Sequence, residues 1–512
     1  MNKNALSSAV IKIKPLLNII IFLILISFSV LSCRGKQNDE KEISELRYGF
    51  TTEPMTLDPL NTANTADGRS ILFNVFEGLV KPNTDGTMLP CIAESWIIEQ
   101  EGLAYIFTLR KGVRFHDGSV LTPFDVKFSL ETAANAGFDS LSNIAEVVIQ
   151  DNNNVKVLLK TKDPDFLPYL TTGIVKAGIS DREKITTGTG PFFIEQYTPQ
   201  RKLVLKKFAG YWQSGLPKLD KVTITFFANF DTLMVALRGG SIDGAFITGA
   251  MAAQLDHREF DIISNNSAAV QLMALNNGAA PFDDMRVRLA INYGIDIEEL
   301  IEAAFFGAGE PSGSPVIPGL SLYYEDSLSY KYDPSFAKTL LAEAGYNDSN
   351  KLAFEITVPS NYTMHVDTAQ VIVEHLGKIG VDVKIKLVDW STWLSDVYFG
   401  RQYQATIISL DSSSASARGF LRRYRSEDGS NFINFKNAEF DEVFAAVLAE
   451  TDSAQRIALY KKAQRIIAQN AASVYIQDIL YFITFRGGTY GGALNYPLYI
   501  IDFASIYGIN SN

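Results

Sequence analysis

The sequence predicts an α/β protein built from more than one lobe, and three observations lead there. At 512 residues the chain exceeds the size at which a single hydrophobic core keeps growing. Its composition, 47% hydrophobic and 20% charged, suits an ordered globular chain. The clearest local pattern is at 354–387. Phe354, Ile356 and Val358 alternate as a strand, Val366 to Ile379 has apolar positions at helical spacing ending at Gly380, and Val381, Val383, Ile385 and Leu387 alternate again. This is a βαβ unit, whose right-handed crossover makes the two strands parallel and lays the helix on one face.

The amino terminus stands apart. Lys3, Lys12 and Lys14 precede an apolar run from Leu16 to Leu31, and ValLeuSerCys follows at 30–33. These residues resemble a lipoprotein signal, which implies cleavage before Cys33 and a fatty-acylated (palmitate-type) cysteine as the new first residue. The competing reading is an uncleaved anchor helix, for which Asn18 and the short run make a poor span. Both put the body outside the cytoplasm. Residues 34–45 have almost nothing to bury and form a flexible tether. Losing the three leader lysines takes the formal charge from −11 to −14, and so acidic a body is a poor nucleic-acid binder. Cys91 is then the one thiol besides Cys33, so the monomer forms no internal disulfide, and its apolar neighbours mark it as a buried small hydrophobe.

Along the body, Leu46, Tyr48 and Phe50 alternate as a first strand ending in ThrThrGluProMetThrLeuAspPro at 51–59. Gly68 to Val80 has an apolar face at helical spacing. Tyr105, Phe107 and Leu109 alternate as a strand, HisAspGly at 116–118 makes a turn, and Thr122, Pro123 and Asp125 open a helix as cap, first residue and capping-box partner. Val155 to Leu159 is a strand. GlyThrGlyPro at 188–191 lacks the LysSer or LysThr of a phosphate loop, so its glycines are assigned to tight backbone turning. TyrTrp at 211–212, a capped helix from Asp231 to Gly239 and a strand within GlySerIleAspGlyAlaPhe at 240–246 follow. Asp333, Pro334 and Gly345 bracket another helix. A short helix at Trp390 to Tyr398 leads to a third strand at Ala405 to Leu410. Two packing helices carry Phe440 to Leu448 and Ser453 to Gln469, and the tail from Tyr475 to Tyr507 is aromatic and strand-rich.

FTLRKGVRFHDGSVLTPFDVKFSLE, together with the GluPro…LeuAspPro, GlyThrGlyPro and GlyxIleAsp phrases, resembles the family 5 extracellular solute-binding proteins, the peptide- and nickel-type receptors of ABC importers, over nearly the whole mature chain. The resemblance implies a two-lobed periplasmic binding protein fold of type II, large cluster C, with an extra subdomain in the first lobe and two crossover hinge segments. It divides the chain into a signal peptide at 1–32, a tether at 33–45, a first lobe of 46–270 plus 480–512 with an inserted subdomain at about 80–185, and a second lobe at 271–479. It implies a monomeric receptor, lipid-anchored on the outer side of the bacterial cell membrane, that passes oligopeptides or a similar extended polar solute to an importer permease. A nickel or metallophore receptor of the same family, a secreted hydrolase and a surface adhesion lipoprotein are the alternatives.

Ligands of open α/β folds bind beyond the carboxyl ends of parallel strands, so the end of the Ala405–Leu410 strand is the place of interest. In peptide-binding relatives a Trp and then an Asp stand here, the carboxylate holding the peptide ammonium. In this chain the stretch is IISLDSSSASARGFL. The comparison puts Ser413 at the expected place, Asp411 comes two residues early, and the Trp is missing. Asp411 is thus either the ammonium partner or a turn cap in a polar loop. Trp390 matches a pocket-lining aromatic, Glu53 borders the cleft, and Arg418 is near enough to meet a ligand carboxylate. No catalytic, cofactor or metal residues are assigned. The chain has no GxSxG and no HisGluxxHis, and its histidines, His116, His257, His365 and His375, are scattered. His116 and Asp117 are read as turn residues.

Overall fold

The computed structural model describes residues 43–61, 66–138, 141–179, 186–411 and 416–509. The predicted signal peptide, Cys33, the tether to residue 42 and Ser413 lie outside these. The chain begins with β1 (Glu45–Phe50), a hairpin of β2 (Val80–Pro82) and β3 (Met88–Pro90), and a four-stranded sheet of β4 (Ala93–Glu99), β5 (Ala104–Leu109), β6 (Ile144–Ile149) and β7 (Asn154–Leu159) in the order β4-β5-β7-β6. Next come β8 (Phe192–Thr198), β9 (Lys202–Lys207), β10 (Lys221–Phe226), β11 (Gly244–Thr248) and the long β12 (Phe260–Leu275). After these follow β13 (Gly309–Pro311), β14 (Ala353–Pro359), β15 (Asp382–Val388), β16 (Ala405–Asp411) and the long β17 (Ser473–Arg486). Two short strands, β18 (Tyr490–Gly491) and β19 (Tyr507–Gly508), pair near the end.

The main sheet has the order β15-β14-β16-β12-β17-β11-β1-β10-β9-β8, with β13 also on β17. It falls into two halves. On one side β1 runs parallel to β10 and β11; on the other β14 runs parallel to β15 and β16. The antiparallel pair β12 and β17 passes through both halves, and its register shifts between Asn266 and Val270. Such a bulge leaves residues unpaired and bends the strand. The pairing of β14 with β15 is the parallel one that the βαβ pattern requires, and the helix Thr363–Lys378 lies between them in sequence, burying Ala369, Ile372 and Leu376. The sheet of this half is covered on both faces. Ile407, Leu275 and Phe354 join one core, while Ile408, Leu272 and Phe440 join another, as alternation along a strand dictates.

Local signals are read correctly at several helix ends. Asp125 Oδ2 accepts from the Thr122 amide at 2.7 Å, Asp333 accepts from the Phe336 amide at 2.9 Å, and Gly345 takes a positive φ of 94°. Others differ. The helix predicted from Gly68 spans only Ala66–Leu72; turn hydrogen bonds to Val75 and Phe76 and then β2 replace its continuation, while Ile71, Leu72, Val75, Phe76 and Leu79 remain buried. The helix near 231 is Phe230–Arg238, capped by Asn229 rather than Asp231. The Trp390 helix is one turn, Trp390–Thr392, continued as a π-helical Trp393–Phe399.

Two buried networks tie distant phrases of the sequence together. Glu77, 8% exposed, accepts hydrogen bonds from Tyr211 Oη (2.8 Å), Trp212 Nε1 (3.0 Å), Thr189 Oγ1 (3.1 Å) and Cys91 Sγ (3.5 Å). Burial raises its pKa and these four donors oppose the rise. Cys91 is buried, as expected. His116 Nδ1 accepts from the Gly188 amide at 3.2 Å and Nε2 faces the Gly190 carbonyl at 3.0 Å, which fixes the neutral tautomer protonated on Nε2. Asp117 folds onto Ser119 and Lys176. Both therefore hold a turn, as read from the sequence.

Candidate ligand site at the strand ends

The carboxyl ends of β14, β15 and β16 lie side by side because the three strands are parallel neighbours. Tyr362 follows β14, Trp390 follows β15, and Asp411 closes β16. Trp390 is 38% exposed and stacks on Trp393 at 5.0 Å with the rings 6° apart, while Tyr362 meets Trp390 edge-on at 5.5 Å. Trp393 is the inner ring, buried and donating from Nε1 to Thr406 Oγ1 at 2.9 Å. The outer faces of Trp390 and Tyr362 thus form an aromatic ledge supported from within. Asp411 is exposed and pairs in register with Ala269 of β12.

Beneath the ledge is a polar chain that the sequence reading missed. Gln271 of β12 directs Nε2 to His365 Nδ1 and Thr368 Oγ1, both at 3.0 Å. Its Oε1 accepts from Gln477 Nε2 of β17 at 2.8 Å. All four side chains are buried. Burial without a neighbouring charge pushes the His365 pKa down to about 4, so the ring is neutral at ordinary pH. The available signal was a Gln inside each apolar strand run, ValGlnLeuMetAlaLeu and TyrIleGlnAspIleLeu, since a polar residue in a strand buried on both faces needs a partner.

The other predicted site residues sit elsewhere. Glu53 Oε2 accepts from Tyr197 Oη at 3.0 Å and from the Gln200 amide at 2.8 Å, closing the loop after β1 onto the β8–β9 turn. Arg418 is ion-paired with Asp163, whose side chain is 2% exposed. The guanidinium expected to face a ligand carboxylate therefore has a carboxylate of the same chain. Among the described residues no cluster of three or more metal-ligating side chains occurs, and no helix is long and apolar enough to cross a membrane.

The family described as "Bacterial extracellular solute-binding proteins, family 5 Middle" matches residues 87–432. The chain belongs to that family. Family 5 proteins are substrate-binding receptors of ABC importers, not enzymes. This solute-binding protein is 29% identical over 438 residues to the glutathione-binding protein GsiB of Salmonella typhimurium, covering 80% of this chain and 84% of that one. Its fold matches the periplasmic murein tripeptide-binding protein MppA in an unliganded open form, with a TM-score of 0.81 at 21% identity over 91% of this chain and 98% of the other. DppA of Helicobacter pylori, in complex with the peptide STSA, gives 0.73 at 24% identity over 93% and 100%. The two-lobed α/β architecture expected from the sequence is the architecture of these neighbours.

Proposed function

We propose that this family 5 protein is an extracytoplasmic receptor, moored through an acylated Cys33, that captures an oligopeptide or a similarly extended polar solute and hands it to the permease of an ABC importer. The observation that carries the reading is the convergence of an aromatic ledge, Tyr362 and Trp390, and a carboxylate, Asp411, on neighbouring parallel strand ends. An aromatic wall covers the apolar part of a peptide-like guest, and a carboxylate at one end pairs with its ammonium in a charge-assisted bond. Ser413 is the alternative ammonium partner. The names of the relatives, which bind glutathione and peptides, support this ligand class.

Capture in this reading is a shift of lobe populations. The register shift of β12 beside β17 supports a hinge there, with a first lobe of 46–270 plus 480–512 and a second of 271–479, so that guest bound between the lobes favours the closed arrangement. Calorimetry of the purified chain with glutathione and with di- to tetrapeptides tests it. Asp411→Ala should weaken a free-amine peptide at least about tenfold and leave its N-acetylated form unchanged. Equal loss for both forms, or none for either, would reject Asp411 as the ammonium partner. For the anchor, Cys33→Ser should move the protein from the membrane fraction to the soluble one, and unchanged membrane retention would contradict acylation.

A further inference from the structure

β13 covers only part of the edge of β17 that faces away from β12. It pairs from Gly309 opposite Ile479 to Pro311 opposite Gln477, and the Ser312 amide makes the last bond, to the Ile476 carbonyl at 3.1 Å. The chain then turns away. Gly313 packs against bare backbone, where a Cβ would be 2.7 Å from the Leu328 carbonyl carbon. Among the described residues no strand covers this edge at Val474 and Tyr475. A cavity of about 430 Å³ opens there, against the end of the helix Met285–Gly294 and the start of the helix Ile297–Phe305. All of its lining residues fall within 292–475, so the half built on β14, β15 and β16 walls it alone. β17 is four strand spacings from β15, roughly 19 Å at about 4.8 Å each, which sets the cavity apart from the Trp390 ledge.

The inner wall offers acceptors, while its donors are spent elsewhere. Asn292, 5% exposed, donates from Nδ2 to the Arg288 carbonyl at 2.9 Å, and its Oδ1 has no hydrogen bond among the described residues. Asp296 caps the second helix, Oδ1 accepting from the Glu299 amide at 3.0 Å, and its Oδ2 is likewise open. Tyr330 Oη donates to the Ala468 carbonyl and Tyr475 Oη to Tyr424 Oη, so both tyrosines have only their rings to offer. Ile297 and Val474 add apolar wall, and Glu298 and Lys331 are exposed at the mouth. Two carboxylates therefore stand against one ammonium. An acceptor withdrawn from water without a donor is costly, and carboxylate beside aromatic ring is a setting that a cation relieves.

We infer that this cavity is a second binding site, separate from the strand ends, for a short alkyl diamine. One ammonium meets Asp296 Oδ2 and Asn292 Oδ1, the methylenes lie along Ile297 and Val474 beside the tyrosine rings, and the outer ammonium reaches Glu298. Lys331 repels the guest and limits its affinity. The volume is at the small end of ligand pockets, as a guest of that size requires. The inference stands apart from the reading of Asp411 given above.

Calorimetry of the full chain with diaminobutane, and with butanediol as the uncharged control, tests it. Saturable uptake of diaminobutane at about one per chain is expected, with no uptake of the diol. Asp296→Asn keeps the helix cap, since Asn serves there as well as Asp, and should weaken binding about tenfold. Glu298→Gln should weaken it about twofold to fivefold, and Lys331→Met should strengthen it. Hydrogen exchange with diaminobutane present should slow at 297–300 and 474–476 and stay unchanged at 405–411. No saturable binding at millimolar concentrations, equal binding of the diol, wild-type affinity in Asp296→Asn, or protection at 405–411 instead would each overturn the inference. So would weaker binding in Lys331→Met, the mark of a guest held by a carboxylate. If Asp296→Asn fails to fold, the two surface variants carry the test, and unchanged affinity in both would overturn it.

Discussion

His365 shows what burial does to a single titratable side chain in this protein. Its ring is 2% exposed, faces Gln271 rather than an acid, and has a pKa pushed from 6.5 to about 4. In the unfolded chain the ring takes up its proton near 6.5, while in the folded protein it stays neutral until about pH 4. Stability from this group is therefore full above pH 6.5 and is lost as pH falls toward 4, by about 3 kcal/mol in total. His116 and His375 are shifted the same way by burial and add to the same slope. Urea midpoints measured from pH 7 to pH 4 should fall, and His365→Gln should flatten part of that fall; an unchanged profile in the variant would contradict it. None of this was legible from ThrMetHisValAsp alone. A histidine near a helix start reads the same whether its ring faces water or a glutamine from another strand. The same limit applies to Glu53 and Arg418, whose partners Tyr197 and Asp163 are distant in sequence.

Elements were more readable, because their periods are written locally. Alternation by two at 354–358 and 381–387, with a helical period between, predicted a parallel β14–β15 pair, and that is the pair formed. The Gly188 loop shows where pattern gives the residue but not the reason. Its glycines were assigned to turning, yet neither has a positive φ. A Cβ on Gly188 would instead meet the Val75 carbonyl oxygen at 2.0 Å, and one on Gly190 would meet the Val75 carbonyl carbon at 2.7 Å. Close approach of two backbones, visible only after folding, excludes a side chain there. Gly188→Ala must shift the loop and loosen the His116 clasp, and should destabilise by about 1–3 kcal/mol as an overpacked site. Gly118→Ala provides the contrast, since its Cβ would meet nothing and only its φ of +85° opposes it. A Gly188→Ala protein with wild-type thermal stability would remove close approach as the explanation.

At the scale of the whole molecule, the two-lobed fold was legible through family phrases rather than through physics. A strand, a turn and a capped helix occur in many domains, whereas FTLRKGVRFHDG and its companions resemble one family, and the match over 87–432 bears that family out. The arrangement of lobes depends on β12 and β17 running through both halves of one sheet. No local pattern reports that two strands so far apart will pair. Their buried glutamines couple the crossing strands to His365 below the aromatic ledge, so the crossing strands and the strand ends share a common floor. The central claim is that these halves hold a small peptide-like guest and release it unchanged. It is tested most directly by denaturing and refolding the protein to strip it, incubating it with a mixed oligopeptide pool, isolating the complex by gel filtration and identifying the retained molecules by mass spectrometry. Peptides held at about one per chain, with masses matching the pool, are the predicted result; an empty protein, or one that returns only cleaved fragments, would contradict it.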